Sequence, residues 1–147
     1  MGLIRRLYHN LIMVPGLPFF FRFARRDYAT IFMMHRFTHR DRFIEGIDPG
    51  QLREGLDYLR RNNYEFLSLT DLFDRLGKSG AGLTGAVVFT IDDGYADHAD
   101  IAALVFAEFD CPVTTFVTSG FIDGELWMWW NKIEYIFQKT VKNLLKL

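Results

Sequence analysis

The sequence predicts a parallel α/β fold of about four strands with flanking helices, and two features carry that prediction. Ala86 to Ile91 is an unbroken apolar and β-branched run without polar alternation. A strand that reads this way is buried on both faces, as parallel sheets require. Around it, short apolar runs alternate with stretches of helical periodicity, and strand, helix, strand, helix in this order gives parallel pairing through right-handed crossovers. The 147 residues, half of them hydrophobic, suffice for one sizeable core and are too few for two ordinary domains.

The first strand is expected at Ile31 to Met34, ending in His35 and Arg36. A helix follows, with Asp48 as N-cap, Pro49 at its first position and Gln51 three residues after the cap. Leu52, Leu56 and Leu59 form its inner face, and Arg60 to Asn63 close it. Glu65 to Leu69 reads as a second short strand. Thr70 is then expected to cap a short helix whose Leu72, Phe73 and Leu76 face inward and which Gly77 stops. After the glycine-rich loop from Gly80 to Gly85 and the strand from Ala86, the residues Ile101, Leu104, Val105 and Phe109 mark a helix face. Pro112 opens a fourth strand, Val113 to Val117, expected to be buried. Trp127, Trp129 and Trp130 lead into a last helix carrying the stripe Ile133, Ile136, Phe137, Val141, Leu144 and Leu145.

Seventeen Lys plus Arg balance eighteen Asp plus Glu, so no global field argues for nucleic acid. The only cysteine, Cys111, excludes an internal disulfide and a cysteine-based zinc site, and it fits a reducing, cytoplasmic location. Residues 1–29 form a separate apolar and basic segment. Arg5 and Arg6 precede an apolar run from Leu11 to Phe21, in the outline of a signal peptide. Pro15, Gly16 and Pro18 interrupt that run, and it is short of the roughly 20 residues of a bilayer span. Two readings stay open for it. It is a packing segment, or it is a peripheral membrane anchor with Phe19, Phe20, Phe21 and Phe23 among headgroups and Arg22, Arg25 and Arg26 on anionic lipid.

Chemistry is expected at Asp92 and Asp93, because ligands of parallel sheets bind beyond the carboxyl ends of the strands. Two carboxylates there are costly to bury unless paired, hydrogen-bonded or bound to a cation, and Gly94 lets the chain turn after them. Spacing alone leaves a second reading open, in which both merely cap the following helix. A magnesium-dependent phosphoryl-transfer site is disfavoured, since no glycine-rich phosphate loop with Lys-Ser/Thr is present. His35, at the end of the first strand, is either a neighbour of Asp92 in the same cavity or a satisfied core histidine. His39 and His98 read as solvated surface. Of the two readings for the tryptophan cluster, sugar stacking and core anchoring, the second is favoured.

The string Phe89-Thr90-Ile91-Asp92-Asp93-Gly94-Tyr95 closely resembles the T-F-D-D-G-[YP] signature of NodB-like polysaccharide deacetylases. Cys111 to Phe121, with Pro112-Val113-Thr114-Thr115-Phe116-Val117 at its centre, is similar to a strand and loop of that family, and Phe32 to Phe37 is similar to its opening strand. The resemblance spans roughly residues 30 to 140 and implies a partial (β/α) barrel of the glycoside hydrolase/deacetylase type over residues 30–147. It implies metal-assisted removal of an acetyl group from a carbohydrate. Asp92 would be the general base and Asp93 a ligand to a divalent metal, usually zinc, with His35 and Tyr95 beside substrate or ligands. The family's downstream H-[ST]-x-x-x-H pair has no counterpart among His9, His35, His39 and His98. A complete (β/α) barrel takes about 250 residues, so the chain is expected to be an N-terminal portion that lacks part of the site, and to self-associate through its last helix. The alternative reading is an inactive binding module.

Overall fold

The structure, a computed structural model, describes residues 28–40, 44–78 and 83–141. Strand β1 is Thr30–Met34, β2 is Glu65–Phe66, β3 is Ala86–Asp93 and β4 is Val113–Val117. The helices are α1 (Pro49–Arg61), α2 (Leu69–Gly77), α3 (Ala103–Glu108, entered through a π-turn at His98–Ala102), α4 (Ser119–Ile122) and α5 (Trp129–Lys139). Residues 1–27 of the N-terminal segment and half of the glycine-rich loop, 80–82, lie outside the described residues. Among those described, no helix is long and apolar enough to cross a membrane.

All four strands are parallel, and β3 is the centre of the sheet. Phe89, Thr90 and Ile91 pair with Phe32, Met33 and Met34 on one side and with Val113, Thr114 and Thr115 on the other. The short β2 meets β3 only at Ala86 and Val87.

Alternation along β3 separates two cores. Val87, Phe89 and Ile91 pack with Leu52 and Leu56 of α1 and with Val105 and Phe106 of α3. Ala86 and Val88 face the other way, onto Leu67, Leu72 and Leu83. Farther along that second face Thr90 and Asp92 line an open pocket.

Helix α1 forms as its sequence dictates, with Asp48 accepting from Gly50 N at 2.8 Å and Gln51 N at 3.2 Å, and Asn63 turning the chain out at φ 57°. Four expectations need correction. Ser68, not Thr70, caps α2 by accepting from Asp71 N at 3.0 Å, which shortens β2 to Glu65–Phe66. On that helix only Leu72 is buried, because the helix lies over one end of the sheet and leaves Phe73 and Leu76 in solvent. Strand β4 is half-buried to exposed, since no helix covers its Phe116 and Val117. Helix α5 buries none of its residues, and Leu144 and Leu145 of its expected stripe lie outside the described residues.

Candidate functional site

The carboxyl end of β3 places Asp92 and Asp93 together in one pocket of about 470 Å³. Adjacent side chains on a regular strand point to opposite faces. Here the bend starts one residue earlier than the glycine: Asp93 has φ 86° and Gly94 φ 90°. Both lie in the left-handed region, which Asp tolerates better than most residues. Asp93 still holds the sheet, its carbonyl accepting from Thr118 N at 3.1 Å. Glycine is required at 94 for a second reason. A Cβ there would stand 3.0 Å from Val117 Cγ1 and 3.2 Å from Ile122 Cδ1.

His35 belongs to the same site. Its Nε2 lies 3.8 Å from Asp92 Oδ2, and its side chain is 49% exposed against 28% for Asp92, so it is no core histidine. Arg36 turns to the other side, its guanidinium 3.9 Å from the centre of the Tyr95 ring. Tyr95 is buried and accepts from Trp130 Nε1 while donating to Asn131 Oδ1, each at 2.7 Å. Burial pushes its hydroxyl above the usual tyrosine range, partly offset by the Trp130 hydrogen bond and the Arg36 charge. Tyr95 is therefore a neutral anchor between the end of β3 and α5, and not a group that holds a charge.

Helix capping does not explain the aspartates. The helical stretch leading into α3 begins at Ala96, with His98 N donating to Tyr95 O at 3.0 Å, and neither Asp92 nor Asp93 caps it. Asp92→Asn is accordingly expected to change stability by less than about 0.5 kcal/mol, against about 1 kcal/mol for loss of a cap. Thermal melts of the two proteins separate these cases, and a drop of several degrees would restore the capping role.

The donor set falls short of a metal site. Among the described residues no three His, Cys, Asp or Glu side chains are gathered as a metal would need. His39 is tied by backbone hydrogen bonds to Ile44 and forms no pair with His35 at Asp93. Zinc usually takes three or four protein ligands, more than the described residues gather at Asp93. Zinc is expected to bind the isolated chain more weakly than micromolar. Titration calorimetry checks this, and submicromolar stoichiometric binding that is lost in Asp93→Ala would reveal ligands that the site does not show.

A larger cleft of about 960 Å³ opens beyond Tyr95, lined by Arg36, Phe121, Trp127, Asn131, Glu134 and Tyr135 among others. The tryptophans are not the core anchors expected of them: Trp127, Trp129 and Trp130 are all exposed. Trp127 meets Tyr135 edge to face at 5.3 Å, leaving aromatic surface bordered by amide, guanidinium and carboxylate groups. His98, expected at the surface, is buried at 6% exposure, and so is Asp97 at 1%. A signal for His98 existed, since it falls at i, i+4, i+7 with the buried Ala102 and Val105. Arg36, Asp97 and Asn131 carried no such signal.

No family model matches the sequence, and no curated protein does. Solved structures do. A Streptococcus pyogenes deacetylase, PplD, solved with acetate, is 18% identical with a TM-score of 0.50, over 63% of this chain and 42% of its own. A de-N-acetylase from Aggregatibacter actinomycetemcomitans is 17% identical with a TM-score of 0.56, over 75% of this chain and 50% of its own. IcaB from Ammonifex degensii is 23% identical with a TM-score of 0.58, over 75% and 48%. The chain thus shares the fold of these deacetylase structures over the matched part, the fold that its motifs implied. It spans half or less of the length of the structures it matches.

Proposed function

We propose that this chain carries the aspartate half of a carbohydrate-deacetylating site, in which Asp92 is the general base for a water that attacks the acetyl carbonyl. The observation that carries the reading is that Asp92 and Asp93 line one open pocket at the carboxyl end of the central strand, with His35 Nε2 3.8 Å from Asp92 Oδ2. Asp92, partly open to solvent, takes the water's proton. His35 stands close enough to stabilise the ionised carboxylate or to orient the water. Asp93, turned into the same pocket, is the group that would ligate a divalent cation, with zinc as the expected ion. Its further ligands would have to come from outside the residues gathered here. An acetylated amino sugar fits the neighbouring cleft, where Trp127 and Tyr135 offer flat aromatic surface and Arg36, Asn131 and Glu134 offer hydrogen bonds.

Acetate release from an N-acetylglucosamine oligomer in the presence of zinc tests the reaction. Release that disappears in Asp92→Asn supports it, and equal release by both proteins removes Asp92 from the role of base. For the cleft, Trp127→Ala is expected to weaken binding of the same oligomer about tenfold, a loss of roughly 1.4 kcal/mol. Titration followed by nuclear magnetic resonance measures it, and unchanged affinity would place the sugar elsewhere. The bare surface of α5 favours a second reading, a binding module without turnover. Saccharide binding without any acetate release would select it.

A further inference from the structure

We infer that Asp97 and His98 are positioning residues, which clamp the backbone of residues 35–37 and thereby set where His35 stands against Asp92. Three successive residues after β1 are held by this pair. The His35 carbonyl lies 2.6 Å from His98 Nε2. Arg36 Nε donates to Asp97 Oδ2 at 3.3 Å, and Phe37 N donates to the same oxygen at 2.7 Å. A carbonyl only accepts, so His98 Nε2 carries a proton, while Nδ1 is buried without a hydrogen bond.

Neither side chain serves its own helix. Asp97 sits just before the π-turn yet makes no capping hydrogen bond to it. Its Oδ2 is committed to residues some 60 positions away, and its buried Oδ1 makes no hydrogen bond but lies 3.3 Å from Arg36 Nε in an ion pair. Two adjacent buried polar groups, both committed to a distant segment and one leaving His98 Nδ1 without a hydrogen bond, are an unusual expense for a fold to keep. Here they grip the segment that carries His35, the residue facing Asp92.

The opposite side of that segment is fixed as well. Ile47 N donates to Arg36 O at 2.9 Å, and Thr38 N donates to Ile47 O at 3.0 Å. Gly46 passes so close that a Cβ would lie 2.5 Å from the Arg36 carbonyl. The His35 side chain itself is half exposed, and its contact with Asp92 is 3.8 Å long, beyond hydrogen-bonding range. Its position therefore follows from the backbone, which Asp97 and His98 hold on one side and Ile47 on the other. That the contact serves deacetylation rests on the reading of Asp92 given above, whereas the placement does not.

The test compares how the His35 ring resonances respond to Asp92→Asn in different backgrounds of the full chain at one pH. In the wild type and in His98→Gln, whose amide nitrogen reaches the position of Nε2, a clear response is expected. In His98→Leu it should fall at least twofold, with the Phe37 amide resonance still marking the Asp97 bond. Should H98L not fold, His98→Asn takes its place, since its amide is too short to reach the His35 carbonyl. An undiminished response in H98L or H98N overturns the clamp, and so does a response lost in H98Q as fully as in the others. A clamp that passes while Asp92→Asn leaves acetate release untouched would remove the catalytic reading and keep the placement.

Discussion

Phe106→Ala is expected to destabilise the chain by about 3–5 kcal/mol, a large share of the total stability of a domain this size. Phe106 is 1% exposed and lies 5.2 Å from the Phe89 ring, at the junction of α3 with the face of β3 that also receives α1. Its carbonyl accepts from Phe109 N at 3.1 Å and Cys111 N at 3.0 Å, so the same residue ends α3 and starts the turn toward β4. Truncation leaves a cavity that cannot collapse easily, because β3 is held on both edges. Urea unfolding of the variant should show a lower midpoint with little change in slope. Leu104→Ala, two residues away and exposed, is the control and should cost less than about 0.5 kcal/mol. Equal losses at the two positions would mean that α3 does not pack as described.

The contrast between Phe106 and Leu104 shows where sequence reading succeeds and where it stops. The strands were legible because their runs have a local cause: β3 is apolar on both faces since helices α1 and α3 cover one and α2 part of the other. Caps were legible where one residue had no competitor, as Asp48 did. They were missed where Ser68 and Thr70 stood two positions apart, a choice that only the path of the chain decides. On α3 the buried face runs through His98, Ala102, Val105 and Phe106 at i, i+4, i+7 and i+8, which leaves Leu104 of the expected face exposed.

At the site, Asp92, Asp93, Gly94, His35 and Tyr95 could be named from sequence, since one motif and one strand end hold them. What the sequence concealed was long-range. The Asp97 bond to Phe37 spans 60 positions, and the Tyr95 link to Trp130 and Asn131 spans 35 and 36. No periodicity within either segment announces such a pairing. Burial of His98 could have been read from its place on the apolar stripe, but the partner that makes burial tolerable could not.

The isolated chain is expected to self-associate at tens of micromolar, and the surfaces responsible are visible. Helix α5 carries Ile133, Ile136 and Phe137 at i, i+3, i+4 on one side, and all three are exposed, Phe137 at 64%. Met33 and Phe116 stand open on the sheet face that also carries Asp92, and among the described residues β4 pairs on one edge only, with β3. An unpaired parallel edge beside an apolar face is a site for adding another strand or copy. Covering about 200 Å² of such surface would contribute roughly 5 kcal/mol at 25 cal/mol per Å² before the cost of association. Replacing Ile136 and Phe137 together with glutamate puts two like charges on the α5 patch and should shift the chain toward monomer, without touching either core. Light scattering and sedimentation of both proteins measure the change. A monodisperse wild-type monomer at that concentration would show that these surfaces are too dispersed to bind one another, and the expectation would fail.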